Sequence, residues 1–418
     1  MLKVLHINTY DGNGGAGRAC LRLNKALRDI GIDSNVLVLY RFNDSNPVNA
    51  ISAGYFGKLK AVFNIFSERY FSKWLTKATK TPFSLQWFGV DISKHPAVLA
   101  ADVLHIHWVN HGFLRPSDLK KLDLLEKKVV WTFHDSNAFT GGCHVRYGCE
   151  NYYKNCGNCP LLNSPNPKDL SNEIWKKKEE AYSQFYFNVI APSNWMKDSV
   201  KLSSLMGTRT IATIPNTLET EVFKPYVKSE AKGIFKIRPQ KFVLLSGFMP
   251  SKNDKHKGTS YLLDALNILA KNKTVDVSNI ELVVFGNKKN VEMPEFPFKT
   301  TFLGTISKDE HLAKCYAAAD VFLLPSLEDN LPNTVMESMA CGTPVVAFRT
   351  GGIPDMINHL ENGYLAEYKS AEDMVNGILW AYHHAHPNLL QKEARRKVLT
   401  EYSEVVVAEK HLKYYLEV

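Results

Sequence analysis

Residues 321–348 read VFLLPSLEDNLPNTVMESMACGTPVVAF. An apolar run of β-forming residues, VFLLPS, leads into an acidic loop, then a helical stretch Pro332–Cys341, a glycine turn and a second apolar run, TPVVAF. Strand, loop, helix, turn and strand make one βαβ unit, whose strands are parallel because the helix crosses between them. In parallel sheets, ligands bind where loops leave the carboxyl ends of the strands. The loop before Pro332 is therefore the first place to look for chemistry. Pro332 suits a first helical position, leaving the free amides of the next residues aimed at the loop. Glu337 lies about a turn and a half into the helix, where a carboxylate can accept hydrogen bonds from vicinal hydroxyls.

The same alternation extends in both directions. KVLHIN, NVLVLY, DVLHIHW, KVVWTFH and FNVIAPS are strand candidates in the first half, and KFVLLSGF, IELVVFG and TTFLGTI join VFLLPS and TPVVAF in the second. Helical patterns lie between them, among them Arg18–Ile30, Thr259–Ala270, Lys308–Ala319 and Ala371–His383. Two sets of strands, each interleaved with helices, predict two doubly wound α/β domains. The expected divisions are 1–220, a charged and proline-rich linker over 221–240, a second domain over 241–395 and a C-terminal helix over 396–418 that packs back on the first domain.

At 418 residues the chain exceeds one ordinary core. Its composition, 45% hydrophobic and 22% charged, is that of a globular protein. The N-terminus lacks a long apolar segment and no run of about 18 apolar residues occurs, so a reducing cytoplasm is the expected compartment. A net charge of +9 favours an anionic partner without specifying it.

Three further strand-end loops carry candidate residues. TYDGNGGAGRA follows the first strand, and Gly14, Gly15 and Gly17 there let backbone amides approach an anion at a helix start; a tight strand-to-helix turn explains them equally well. KVVWTF ends in His134-Asp135, placed for hydrogen bonding or proton transfer. MPSKNDKHKG follows KFVLLSGF and offers Lys252, Lys255 and Lys257 to a diphosphate, or simply a solvated charged loop.

As a set, these segments resemble the retaining GT-B glycosyltransferases of the "glycosyl transferases group one" family. PSLEDNLPNTVMESMACGTPVVA followed by GGIPDMI carries the likeness most clearly, supported by GGAG, APSNW, IPN, the lysine-glycine after a strand glycine, and FLGTI. The resemblance implies two Rossmann-like domains facing a cleft, with a sugar nucleotide held mainly by the C-terminal one. It implies that Glu337 binds the donor ribose, Lys257 stabilises the departing diphosphate and His134 faces the transferred sugar beside Asp135. Amides and side chains of Asn330, Leu331, Pro332, Asn333 and Thr334 would cradle phosphate and sugar, and the loops at Gly286 and at Thr305-Ile306 would shape the base pocket. The chain departs from the family pattern twice. Eight residues separate Glu328 from Glu337 where the family has seven, and Asp329 stands at the strict spacing, so either residue supplies the first acid. Phe248 occupies the position of the usual arginine, leaving Lys252 or Lys255 as the second cation. No Asp-x-Asp pair and no evident protein nucleophile are present, so catalysis is expected to need no cofactor and to follow front-face attack by an acceptor hydroxyl, from a glycan or a polyprenyl-diphosphate-linked glycan in surface polysaccharide biosynthesis. A sugar-nucleotide epimerase of the same fold is the main alternative. A zinc-bearing nucleic-acid binder is disfavoured because the basic residues are dispersed.

Two segments stand outside this pattern. Phe56–Lys80 reads as a helix with Phe56, Phe63, Tyr70 and Trp74 at spacings of seven, seven and four, beside a basic stripe of Arg69, Lys73, Lys77 and Lys80. It suits an anionic membrane surface, which would make the protein peripheral on the inner face of the cell membrane, or a surface helix with its aromatics in the core. The loop 141–160 gathers Cys143, Cys149, Cys156 and Cys159, with Cys156 and Cys159 at knuckle spacing. A structural Cys₄ zinc site, His144 replacing one thiolate, two disulfides and four free thiols are the readings this spacing allows.

Overall fold

The alternation of apolar runs and amphipathic helices resolves into two parallel sheets. The computed structural model describes residues 1–76, 82–247, 255–286 and 295–418. The chain divides into two compact units, one formed by Met1–Thr217 with Glu404–Val418 and the other by Leu218–Ser403.

In the first unit, β1 (Lys3–Tyr10), β2 (Asp33–Tyr40), β3 (Asn49–Ala50), β4 (Val103–Ile106), β5 (Lys128–Thr132), β6 (Asn188–Ala191) and β7 (Ile211–Thr213) form one sheet in the order β3-β2-β1-β4-β5-β6-β7. In the second, β8 (Phe242–Gly247), β9 (Ile280–Phe285), β10 (Lys299–Gly304), β11 (Val321–Leu324), β12 (Val345–Phe348) and β13 (Gly363–Ala366) run β10-β9-β8-β11-β12-β13. Every pairing is parallel. Each order reverses direction beside its first strand, so each unit has a switch point: between β1 and β4, and between β8 and β11. Crevices open at the carboxyl ends of strands at such points. The candidate loops after β1, β8 and β11 flank these switch points, and the His134-Asp135 loop follows the neighbouring β5.

Three boundaries differ from the sequence expectation. The 221–240 stretch is no linker: it carries the helix Lys228–Ile234, and Phe223, Ala231, Phe235 and Ile237 are buried in the second unit's core. Charge and proline masked the spaced apolar residues. Nor is 396–418 one helix. Pro387–Glu401 belongs to the second unit, and the chain breaks at Tyr402-Ser403 before Glu404–Glu417 joins the first. There Val407, Ala408, Tyr414 and Tyr415 pack on Val4, Leu27, Val103 and Val130. The segment beginning at Phe56 forms the helix Gly54–Leu75, and Lys77 and Lys80 lie outside the described residues.

That helix, called here the aromatic helix, turns its face inside out. Its buried residues are Ala61, Asn64, Ser67 and Glu68. Phe56, Phe63, Tyr70 and Trp74 remain 82%, 59%, 57% and 65% exposed, so the reading that placed them in the core fails. The reason is polar anchoring. The Glu68 carboxylate accepts the amides of Leu85 and Gln86 at 2.7 Å and Trp87 at 3.2 Å, and Asn64 Nδ2 donates to the Gly112 carbonyl at 3.0 Å. A buried carboxylate needs such donors, and meeting them rotates the aromatics outward.

Candidate active site

In the second unit the β11 loop is clamped on both sides by backbone contacts. The Leu327 amide donates to the His256 carbonyl at 2.7 Å, and the Gly352 amide to the Asp329 carbonyl at 3.0 Å. Thr350 Oγ1 adds a bond to the Leu327 carbonyl at 2.9 Å. Two glycines permit this closeness. At Gly258, with φ +62°, a Cβ would meet the Pro325 carbonyl at 1.9 Å, and at Gly351, with φ +58°, it would meet the Asp329 carbonyl at 1.9 Å. No larger residue fits either position.

This clamp brings Lys257 to Asp329, Nζ to Oδ2 at 3.3 Å. Asp329, the acid at the strict spacing, thus meets the lysine. Asn330, Leu331 and Pro332 are buried, and Asn333 and Thr334 are half-buried at the helix start. Pro332 is the cap residue of the helix Asn333–Ala340, with φ −65° and ψ 119°, and not its first helical residue. Lys252 lies outside the described residues, and Lys255 is described only as backbone in a short 3₁₀ turn.

Glu337 is 1% exposed and accepts a hydrogen bond from Tyr316 Oη at 3.2 Å. Burial, with the Glu337 charge beside it, pushes the Tyr316 phenol far up, so it stays a donor. The Tyr316 ring stands edge-on to Phe285 at 5.8 Å, and the adjoining Gly286 amide donates to the Gly304 carbonyl at 2.8 Å. Glu337 is thereby linked through Tyr316 and Phe285 to the Gly286 and Thr305-Ile306 loops.

In the first unit, Gly14 opens the helix Gly14–Asp29 at φ +80°, followed by Gly15. At the end of β5, Asp135 is held by Trp108 Nε1 at 2.7 Å, His144 Nδ1 at 2.6 Å and the Asn137 amide at 2.8 Å. Burial alone would raise its pKa, but the His144 charge and these hydrogen bonds together outweigh it and hold the carboxyl below its ordinary range. His144 Nε2 bonds Ser84 Oγ at 2.8 Å. Both nitrogens of His144 are therefore engaged, and it does not replace a cysteine as a ligand. Its part in the Asp135 network had no sequence signal beyond nearness to the cysteines; Trp108 and Ser84 had none.

His134 ends a hydrogen-bonded file of histidines that pattern reading missed. His134 Nε2 meets His107 Nδ1 at 3.0 Å, His107 Nε2 meets His6 Nδ1 at 2.9 Å, and His6 Nε2 meets Ser34 Oγ at 3.2 Å. Ser34 in turn donates to Asn24 Oδ1 at 2.9 Å. Because the hydroxyl proton is committed to Asn24, Ser34 accepts from His6, His6 from His107, and His107 from His134. The file fixes each tautomer, with the His134 proton on Nε2. Burial lowers His134 to about 4 and His6 to about 3, so both are neutral near pH 7. His105 lies on the same sheet face, bonded to Tyr415 Oη at 2.6 Å and Thr132 Oγ1 at 2.7 Å. The ligand atoms of His6, Cys20 and His107 lie within 4.8 Å of one another, but both nitrogens of each imidazole are spent in the file, and burial pushes the Cys20 thiol far up.

Residues 240–384 match the family model described as Glycosyl transferases group 1. An uncharacterized glycosyltransferase of Haemophilus influenzae is 34% identical over 129 residues, 29% of this chain and 35% of that protein. The chain thus spans about a third of that relative's length. The putative colanic acid biosynthesis glycosyl transferase WcaC of Escherichia coli K12 is 23% identical over 363 residues, 83% of each chain. The crystal structure of Anabaena HepE in complex with UDP and glucose has a TM-score of 0.64 at 16% identity, covering 100% of both chains. Likeness at that identity speaks for the fold, two Rossmann-like domains of the GT-B type.

Proposed function

The chain belongs to the glycosyl transferases group 1 family, and from that premise we propose that it moves a sugar, with retention of anomeric configuration, from a nucleoside-diphosphate sugar to a hydroxyl of a glycan or lipid-linked glycan in surface polysaccharide biosynthesis. The observation that carries this reading is the clamped β8–β11 switch point, where Lys257 of the β8 loop meets Asp329 of the β11 loop that leads into the Asn333–Ala340 helix.

Breaking a glycosyl–phosphate bond leaves positive charge on the sugar and an electron pair on the diphosphate. Lys257 and the amides of Asn333 and Thr334 stabilise that diphosphate, being preorganised cation and dipoles. Glu337, kept as an acceptor, takes hydrogen bonds from the ribose hydroxyls. By the family resemblance, His134 faces the transferred sugar. The acceptor hydroxyl attacks the face the diphosphate leaves, and its proton passes to the departing phosphate oxygen. HepE, which holds UDP and glucose in its crystal structure, makes uridine donors the first to test.

The acceptor is proposed to lie at an anionic membrane on the cytoplasmic side, reached through the aromatic helix. A water-facing surface bearing Phe56, Phe63, Phe66, Tyr70 and Trp74 beside Arg69 and Lys73 has the composition of an interfacial helix, and no described helix is long and apolar enough to cross a bilayer.

A thermal-shift panel of nucleoside diphosphates and their sugars tests the donor assignment, since a true donor stabilises the fold by about 2.7 kcal/mol at 100 times its dissociation constant. Glu337→Gln, which keeps the shape, should reduce the shift by about 10-fold in affinity, the worth of a lost charged acceptor. A full shift in the variant would remove Glu337 from the site.

A further inference from the structure

We propose that Cys143, Cys149, Cys156 and Cys159 bind one structural zinc ion whose negative thiolate shell is balanced by the buried ammonium of Lys178. The four cysteines, all free, line a small cavity of ≈ 20 Å³ together with Gly141, Gly157 and Arg146. That volume exceeds one small ion's need.

The sulfurs sit in the surroundings that bound thiolates require. The Gly141 amide donates to Cys156 Sγ at 3.2 Å, and the amides of Leu161 and Leu162 lie beside Cys159 Sγ. Backbone donors two and three residues beyond a cysteine are the geometry of a metal knuckle, in which they offset thiolate charge. Cys156, Gly157 and Asn158 all have positive φ, 55°, 85° and 46°, so the Cys156-Gly157-Asn158-Cys159 turn is wound tightly about its sulfurs. Gly157 has no room for a side chain, since a Cβ would meet the Pro167 carbonyl at 2.2 Å.

Lys178 is the second, independent observation. It is fully buried, and its Nζ donates to the Asn137 and Thr140 carbonyls and to Asn137 Oδ1, all neutral oxygens. A lone buried ammonium is costly unless a negative charge compensates it. Geometry sets it against the cysteine loop: Thr140, whose carbonyl it holds at 3.0 Å, donates its hydroxyl to the Cys143 carbonyl at 2.9 Å and adjoins Gly141, the amide donor to Cys156 Sγ. As thiols the cysteines are neutral and leave the ammonium uncompensated. Zinc reverses this by deprotonating its ligands outright. A Zn²⁺ with four thiolates carries two net negative charges, and Lys178 then neutralises one of them. Four protein ligands leave no open position, so the ion is structural.

Among the described residues only His6, Cys20 and His107 form a group of three with ligand atoms drawn within 4.8 Å of one another, so no three of the cysteine sulfurs are gathered that closely, whereas Zn–S bonds of ~2.3 Å set them ~3.8 Å apart. Metal binding must therefore contract this loop. Cys143 precedes His144, the partner of Asp135, and pairs with Phe83 next to Ser84. Contraction is thereby transmitted to the Asp135 network.

Elemental analysis of the full chain, purified without chelator or added metal, should find one zinc per chain. Cobalt exchanged into the site should show thiolate charge-transfer bands and intense tetrahedral d–d bands. Cys156→Ser/Cys159→Ser should lose both. Lys178→Gln should release zinc to a chelator at 10- to 100-fold lower chelator concentration, the usual cost of an outer-shell partner. Metal-free protein with four reactive thiols, disulfides among these cysteines, stoichiometric iron in place of zinc, or unchanged zinc retention in Lys178→Gln would each overturn the proposal.

Discussion

Lys257 shows how far a single residue could be read from sequence. A lysine before a glycine, after a strand glycine, predicted an anion-facing cation, and the fold brings it to Asp329 at 3.3 Å. In the proposed transfer the diphosphate that Lys257 faces gains charge as the glycosyl bond breaks, which places the lysine's contribution in the transition state. Lys257→Ala should lower kcat by about 100-fold, about 2.7 kcal/mol, with less than about a threefold change in diphosphate affinity. Single-turnover kinetics with calorimetric binding of the diphosphate separates the two effects. An equal loss in both would make Lys257 an anchor only. Glu337 was legible from the helix period, whereas its bond to Tyr316 was not. His144 could not be assigned, because its choice between a metal and Asp135 depends on where Ser84, 60 residues earlier, is folded.

At the scale of elements, strands in both sheets follow from apolar runs, and the missed ones, β3, β7 and β13, are too short or too mixed to stand out. The histidine file is illegible for a different reason. His6 and His107 are 101 residues apart and His105 and Tyr415 310 apart, and only the β1–β4 pairing and the returning C-terminal helix bring them together. The file has a measurable signature. His6 of the file and His411 of the C-terminal helix, whose ring packs against His105 at 5.7 Å, lie at about 3 and about 4, below the ordinary value near 6.5, because burial disfavours their charged forms. The unfolded chain therefore binds more protons than the folded one between about pH 6.5 and those values. Stability is complete above pH 6.5 and is lost as pH falls. One site lowered to about 4 accounts for about 3 kcal/mol, and repulsion between charged imidazoles prevents simple addition. The urea midpoint of the first unit should fall steeply from pH 7.5 to 5, less so in His411→Leu. A midpoint independent of pH over that range would mean the histidines are not buried as neutral groups.

For the whole molecule, the aromatic helix is the proposed determinant of where the enzyme works. Spacing and charge suggested either a membrane or a core, and only the polar anchoring of Glu68 and Asn64 chose between exposed and buried aromatics. Arg69→Glu/Lys73→Glu should weaken sedimentation with anionic vesicles at least about 30-fold, at about 1 kcal/mol for each basic residue lost. Phe63→Ser/Phe66→Ser should weaken binding to neutral vesicles as well. If the wild type never sediments, the acceptor is soluble. The central claim is acceptor-dependent transfer with retention. It is tested most directly by incubating the protein with a uridine-diphosphate sugar and a polyprenyl-diphosphate-linked glycan in vesicles, then following the nucleoside diphosphate and the anomeric signal of the product by NMR. Diphosphate released only with acceptor present, and a new linkage with the donor's anomeric configuration, is the result predicted. A sugar nucleotide epimerised without acceptor, or a product of inverted configuration, would contradict it.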